Sequence, residues 1–494
     1  MSLRAVGINL VTGYTGTAVL LATGILTKIV LTRLVVPGDL GIFIAAQTIV
    51  GFASFAASLG LADAVVRSVA MAGGNARPAA HRAVSVALRL TLPVAIVLAA
   101  GLLGLANGLG AWLAGGKPAF VAVLATLSVF VPLKIYSDTL GAAFQGLGKY
   151  WIKVAAADVA PPVLFLVGVA GLLLAGRTDI RDAAVTYVGA AGCAAALLLL
   201  SSRSAFHGVP LAARPEPKDL LRFGLPLLGS GIVAWPVAFV PVAIGGILDT
   251  QSVAYYSLAL TLASPIYLGT GVAEAATIGV WSAYVGEDRR DTLLENYRLV
   301  TRWGFIVASV VFVPLFFDAG SVVTIFFGDR YLGTATLLRW IALVYLVNAG
   351  TGPNESVLKA VGATRWIFAT RLAVGAAVLV TLYPFVALYS LEGAAAAFAL
   401  QGAVLILMYG VFLYRKHQIH PFDESFLRTI AAAIVAMLVS VGMAKVLVLT
   451  EGIAGVATVI AGYVIALGAM LSLLGAITQT DRRIAARLAA RLRA

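Results

Sequence analysis

Charged side chains inside long apolar stretches are the residues of this sequence best placed to do chemistry. A charge within a membrane-crossing segment is costly unless it is paired or faces a cavity, so such charges often mark a binding site or a transport path. Arginine binds phosphate oxygens through a fork of N–H donors, and lysine binds them as a point charge. Cations in these positions therefore favour an anionic ligand. The six candidates are Lys28, Lys134, Arg339, Arg67, Arg302 and Arg371.

Three carboxylates in apolar stretches are candidates for holding Na⁺ or for carrying protons: Asp138, Asp158 and Glu274. Structural alternatives stay open at this point. Lys134 and Asp138 are four residues apart, so they share a helical face and can form an ion pair, and Asp158 is a second partner for Lys134. Lys28 lies near a helix end, from which its ammonium can reach the lipid headgroups.

The four arginines differ in their depth within the apolar stretches. Arg67, Arg302 and Arg371 lie close to cytoplasmic helix ends, where the usual excess of positive charge explains them without a ligand. Arg339 lies more than one helical turn inside its stretch. Its position favours a cavity over the headgroup region.

Other chemistry finds little support in the sequence. Lys117 and Lys149 each follow a glycine, but neither site has the earlier glycine or the following Ser or Thr of a phosphate-binding loop. His417 and His420 lie three apart in a basic loop without acidic or thiol partners, and the single cysteine, Cys193, excludes an intramolecular disulfide. No nucleophile–base pair is evident. We therefore expect neither an enzyme nor a bound metal or cofactor.

The elements that must position these charges are transmembrane helices. Of the 494 residues 61% are hydrophobic and only 12% are charged, which no water-soluble fold of this size could bury. The apolar stretches are about 20 residues long, the length of a helix that crosses a bilayer. We predict an all-α membrane protein of about fourteen spans, at residues 10–31, 40–62, 83–106, 119–142, 153–175, 183–202, 221–247, 253–281, 299–318, 334–356, 366–389, 392–413, 427–449 and 453–477.

The distribution of Lys and Arg predicts the orientation of the chain. Of 35 such residues, 26 lie at the N-terminus, in alternate loops or in the C-terminal tail. Cytoplasmic loops collect positive charge, so these segments and both termini are predicted to be cytoplasmic. Topology thus explains the net charge of +13 without a nucleic-acid partner.

Internal similarity predicts a duplicated architecture. Residues 39–48 resemble residues 252–261, and residues 144–148 resemble residues 358–362, at offsets of 213 and 214. Six spans separate the copies, so both point the same way across the membrane, a known transporter plan. We predict an N-terminal lobe (1–203, helices 1–6), a linker (204–220), a C-terminal lobe (221–416, helices 7–12), and helices 13–14 with a basic tail (417–494).

Several short motifs resemble the polysaccharide transport (Wzx-type oligosaccharide flippase) family of the multidrug/oligosaccharidyl-lipid/polysaccharide (MOP) exporter superfamily. Residues 32–43 are similar to the family's turn after helix 1, and residues 220–228 to its entry into the second lobe. Residues 144–150 and 358–365 look like its small-residue turns after helices 4 and 10, and residues 327–331 also fit. The similarity extends from about residue 1 to residue 415.

The resemblance implies two six-helix lobes, a cationic cavity and alternating access. It also implies a multi-pass protein of the bacterial inner membrane that moves oligosaccharide on undecaprenyl pyrophosphate from the cytoplasmic to the periplasmic leaflet. The implied pathway is surface polysaccharide synthesis, such as lipopolysaccharide O-antigen, capsule or exopolysaccharide. The expected partners are the lipid-linked oligosaccharide, membrane lipids and the polymerase machinery, with coupling to Na⁺, H⁺ or the membrane potential.

Two alternatives predict different features. A multidrug/cation antiporter of the same superfamily needs an acidic, aromatic cavity, and the excess of basic residues within the spans argues against it. A membrane-embedded glycosyltransferase or polymerase usually carries a large periplasmic loop or a cluster of catalytic carboxylates. The non-cytoplasmic loops here, such as 107–118 and 319–333, are short.

Overall fold

A computed structural model describes residues 3–210, 215–233, 235–446, 452–476 and 481, with side chains described except at 3–14, 230, 268–276 and 444–446. The regular elements in these ranges are all helical. The α-helices are α1 (Leu3–Leu34), α2 (Pro37–Ala57), α3 (Leu61–Met71), α4 (Ala76–Ala114), α5 (Pro118–Ser128), α6 (Phe130–Gly146), α7 (Tyr150–Ile152), α8 (Ala160–Leu174), α9 (Ile180–Phe206), α10 (Pro217–Ile232), α11 (Trp235–Ala238), α12 (Val240–Ile247), α13 (Thr250–Gly286), α14 (Arg290–Phe317), α15 (Ala319–Phe327), α16 (Thr334–Thr351), α17 (Asn354–Ala360), α18 (Thr364–His417), α19 (Glu424–Val446) and α20 (Gly452–Leu473).

The predicted spans coincide with these helices. By length and composition, ten helical segments among the described residues can cross a membrane. One of the ten, α18, contains two predicted spans, 366–389 and 392–413. The three further predicted spans, which are not among the ten, fall on α10–α12, on α13 and on α16. In α16, Arg339 and Asn348 lower the mean hydropathy. The prediction of an all-α polytopic membrane protein is confirmed.

Helix α18 reverses direction near its middle. Its 54 residues would extend about 80 Å as one straight helix, far more than the roughly 30 Å of a bilayer core. The chain turns at Ser390, whose φ of 53° is outside the helical range. Gly393 then passes so close to Phe385 that a Cβ atom would lie 1.9 Å from the Phe385 carbonyl oxygen. Only glycine permits this turn between two spans.

Prolines explain the breaks in three other spans. Proline has no N–H to donate within a helix and its ring clashes with the preceding turn. Pro132 therefore separates α5 from α6, and Pro236 and Pro241 lie at the starts of α11 and α12. Pro161 and Pro162 follow a π-helical turn, Lys153–Val159, which joins α7 to α8.

Two compact units, Met1–Ser257 and Leu258–Ala494, divide the chain. The predicted lobe boundaries at 203 and 221 stay a prediction. In the first unit, α3, α4 and α6 pack around a core that includes Val65, Ala87 and Phe144, and α10 packs against α3. In the second unit, α14 packs against α16, α19 and α20, and a separate core surrounds Trp281.

Candidate functional site

The first unit contains a partly open cavity of about 420 Å³ that brings together three of the predicted site residues. Side chains from α1, α2, α6, α8, α9 and the π-helical turn line it. Its polar residues include Lys28, Gln47, Lys134, Asp158 and Tyr187. Lys28 and Asp158 are 130 positions apart in the sequence, so only the fold could place them in one cavity.

Lys28 projects from α1 into this cavity without an acidic partner. Its Nζ donates a hydrogen bond of 2.6 Å to Ser257 Oγ, a neutral acceptor on the first turns of α13. Among the described side chains, no carboxylate lies within ion-pair distance of this ammonium. Lys28 therefore brings a positive charge without an ion-pair partner to the cavity wall. The sequence alone could not distinguish this position from one in which the ammonium reaches the lipid headgroups.

Lys134 forms the ion pair that the spacing on its helix allows. Its Nζ lies 2.7 Å from Asp138 Oδ1, one helical turn further along α6. Each side chain is about one-third exposed, at 39% and 34%. Asp138 thus balances the charge of Lys134, and the pair adds polarity rather than net charge to the cavity.

Asp158 owes its position to the prolines that follow it. An α-helix would require the nitrogens of Pro161 and Pro162 to donate to the carbonyls of Ala157 and Asp158, which proline cannot do. The backbone widens instead into the π-helical turn, in which the N–H of Ala160 bonds to Ala155 O. Such turns are frequent at functional sites. The Asp158 carboxylate lines the cavity and has no ion-pair partner among the described residues.

An aromatic cluster forms one wall of the cavity. The Tyr187 ring lies 5.0 Å from Phe130, 5.1 Å from Phe165 and 5.9 Å from Phe43, measured between ring centroids. Gln47 and Tyr187 are both among the polar residues that line this cavity. Sequence reasoning missed this wall, because its members come from four helices and no local pattern joins them.

The remaining predicted residues whose side chains are described do not line this cavity. Arg67 covers the Phe223 ring at 4.6 Å and lines a separate pocket between α3 and α10. Arg339, in the second unit, is exposed and donates from Nε to Phe316 O at 3.2 Å. Glu274 lies on α13 among side chains outside the described residues.

Arg302 belongs to a buried structural network in the second unit. Its guanidinium donates to both carboxylate oxygens of Asp481 at 2.6 and 2.5 Å, and both side chains are about 5% exposed. Ser425 Oγ and Ala476 O accept further hydrogen bonds from it. With its donors thus occupied, Arg302 holds parts of the protein together and is not open to a ligand.

Arg371 is paired in a second cluster of this unit. Glu355, on α17, accepts from Arg371 at 2.9 Å and from Lys359 at 2.8 Å. Burial alone would raise the pKa of the Glu355 carboxyl, but the hydrogen bond from Lys359 and the charge of Arg371 together hold this pKa below its ordinary value. The cluster carries one net positive charge at neutral pH.

Solved structures of other proteins share this fold. The lipid II flippase MurJ, in an inward closed conformation, matches with a TM-score of 0.70 at 13% identity, over 93% of this chain and 99% of that chain. An inward-facing multidrug resistance MATE family transporter of the MOP superfamily matches with a TM-score of 0.66 at 16% identity, over 79% of this chain and 92% of that chain. A MOP superfamily transporter from Pyrococcus furiosus, described as having a binding pocket of reverse polarity, matches with a TM-score of 0.54 at 16% identity, over 83% of this chain and 94% of that chain.

A comparison with curated proteins gives no match to the sequence. The model of one family, described as polysaccharide biosynthesis protein, matches residues 30–336. This range is more than half of the chain and includes most of the residues that line the cavity. The chain therefore belongs to the polysaccharide biosynthesis protein family and has the fold of the MOP superfamily.

Proposed function

We propose that this protein is a flippase that carries oligosaccharide on undecaprenyl pyrophosphate from the cytoplasmic to the periplasmic leaflet of the bacterial inner membrane by alternating access. The glycan serves a surface polysaccharide such as O-antigen, capsule or exopolysaccharide, and the polymerase machinery receives it. Family membership supports the pathway. The similarity to the lipid II flippase supports a lipid-linked substrate.

The observation that supports the proposal is the charge of Lys28 on the wall of the first unit's cavity, which has no ion-pair partner among the described side chains. A pyrophosphate is doubly anionic or more, and it needs a cation that no carboxylate already neutralises. Among the described residues Lys28 meets this condition, since Asp158 lines the same cavity but is not within ion-pair distance of it, whereas Lys134 is balanced by Asp138. The ammonium is a compact charge on a flexible stem, and so it can follow a moving phosphate.

Gene replacement tests the substrate. In a strain that lacks the gene, lipid-linked oligosaccharide should accumulate on the cytoplasmic leaflet and surface polysaccharide should be lost. The wild-type gene and Lys28→Arg should restore the polysaccharide, and Lys28→Met should not. Lys149→Met, which removes an exposed lysine from the turn before α7, is the matched control and should behave as wild type. Normal surface polysaccharide in the deletion strain would refute the proposal.

One observation favours a second candidate, a multidrug/cation antiporter. The cavity combines the aromatic wall around Tyr187 with the Asp158 carboxylate, and aromatic faces together with a carboxylate attract organic cations. Lys28 opposes such a ligand by repulsion. Efflux of a cationic dye that continues in cells unable to make the lipid-linked sugar, and that is lost in Asp158→Asn, would support the antiporter.

A further inference from the structure

Within the first unit, the first turns of α13 contact α2 and α1 at two points. At its N-terminus, the backbone of Thr250 lies against α2, so closely that a Cβ atom on Gly41 would be 1.5 Å from Thr250 O. Two helical turns further along, Ser257 Oγ accepts the hydrogen bond from Lys28 on α1. One contact is made by backbone atoms, and the other depends on a side chain that lines the cavity.

The hydrogen bond to Ser257 uses the ammonium of Lys28, the same positive charge that the proposed ligand needs. A hydrogen bond from an ammonium to a phosphate oxygen joins two charged groups and is stronger than one to a neutral hydroxyl. The Lys28 stem is flexible, so an anion in the cavity draws the ammonium towards itself. An ammonium has three N–H donors, so the competition is for position: a phosphate deeper in the cavity than Ser257 Oγ moves Lys28 Nζ out of reach of that hydroxyl.

We infer that Ser257 is a positioning residue, and that its hydroxyl latches α13 to α1 through Lys28 until the pyrophosphate of the ligand displaces it. This inference rests on the proposed function for the identity of the ligand. Release of Ser257 loosens the contact of Thr250 with α2. Gly41 lies at the start of the second predicted span and Thr250 between the seventh and eighth, both on the side predicted to be periplasmic, so release opens this contact at the outer end of the first unit.

Chemical modification of a cysteine at position 250 measures this opening. Thr250 is only 4% exposed, so a thiol there reacts with a polar maleimide only when the contact opens. The parent protein carries Cys193→Ser, which removes the single native cysteine, together with Thr250→Cys. It is purified in lipid nanodiscs, so that the reagent reaches both faces, and the modification rate is measured with and without undecaprenyl pyrophosphate.

The expected pattern separates the latch from a general structural role. Without ligand, Ser257→Ala should raise the modification rate about tenfold, from the usual strength of hydrogen bonds to charged groups. Ser257→Thr keeps a hydroxyl and should restore the parent rate. Undecaprenyl pyrophosphate should raise the rate of the parent by a similar factor, and should change little in Ser257→Ala or Lys28→Met. Uncharged undecaprenol should have no effect.

A matched control lies on the same helix. Among the described residues Ser264 Oγ donates to the carbonyl of Thr261 within α13 and to no other group, so Ser264→Ala should leave the rate at the parent value. If the cysteine at position 250 is modified no faster in Ser257→Ala than in the parent, the latch is refuted, whatever the substrate is. If Ser257→Ala and its threonine rescue behave as expected but the pyrophosphate changes nothing in any variant, the displacement step is refuted, whereas the proposed function is decided separately by the deletion strain.

Discussion

Arg302 and Asp481 form a buried ion pair across 179 positions of the sequence, with both carboxylate oxygens bound to one guanidinium nitrogen. Trp303 Nε1 donates to the same carboxylate at 2.9 Å. Arg302 lies on α14, and its guanidinium also donates a hydrogen bond to Ser425 Oγ at the start of α19. These contacts therefore hold Ala476 and Asp481 against α14 and α19 within the second unit.

Removing one partner of this pair should destabilise the protein strongly. Arg302→Ala leaves Asp481 as an uncompensated buried charge, and such losses typically cost about 3–5 kcal/mol. Asp481→Ala should cost a similar amount. Combining Arg302→Met with Asp481→Leu should cost less than either alanine variant, because no charge is left unpaired. Thermal unfolding of the purified protein in detergent measures all three, and equal losses in the double and single variants would contradict the prediction.

The pair also marks the limit of what the sequence could predict. Spans followed from local apolar stretches, and the Lys134–Asp138 pair followed from a spacing of four on one helix. Breaks at Pro132 and Pro241 have a local cause as well. Arg302–Asp481 and Lys28–Ser257 join residues 179 and 229 positions apart. Only the packing of distant helices determines such contacts, so charge alone could not separate a ligand-facing lysine from a structural arginine.

Glu355 should make the second unit sensitive to acid. Its pKa is lower in the folded protein than the ordinary value of 4.5, because Lys359 and Arg371 outweigh the effect of burial. Its contribution to stability is therefore complete above pH 4.5 and is lost as the pH falls through the lower folded value. Glu355→Gln should cost about 1 kcal/mol at pH 7, since both partners are nearly half exposed and solvent screens them.

Unfolding temperatures measured between pH 7 and pH 3 test whether the stabilisation by Glu355 is lost as the pH falls. Wild type and Glu355→Gln should differ most at neutral pH and converge under acid. Glu424→Gln is a suitable control, because Glu424 is 81% exposed and its one ion pair among the described residues is with Arg428 on its own helix. A difference that grows as the pH falls would rule out the stabilising role of the Glu355 carboxylate.

Gly41 should not tolerate even a methyl group. Replacing glycine by alanine inside a helix usually stabilises by about 1 kcal/mol. Here a Cβ atom would lie 1.5 Å from Thr250 O, so α13 must move away from α2. Gly41→Ala should therefore lower the unfolding temperature and expose residue 250 to modification. Gly101→Ala, on α4 with no atom near its Cβ position, should be neutral or stabilising. An equal rise in unfolding temperature in both variants would contradict the prediction that Gly41 lies in close contact with Thr250.

Asp158 should govern the coupling of transport to an ion gradient. It lines the cavity without an ion-pair partner among the described residues, so its carboxylate is available to a proton or Na⁺, whereas Asp138 is held by Lys134. Asparagine keeps the shape but carries no charge at any pH. In proteoliposomes, Asp158→Asn should still equilibrate the lipid-linked oligosaccharide between leaflets, but an imposed pH or Na⁺ gradient should no longer accelerate the movement. Glu287→Gln, which changes an exposed carboxylate beyond the end of α13, should keep the response to the gradient. If Asp158→Asn keeps the full response, coupling lies at another residue, and Glu274 on α13 is the next to test.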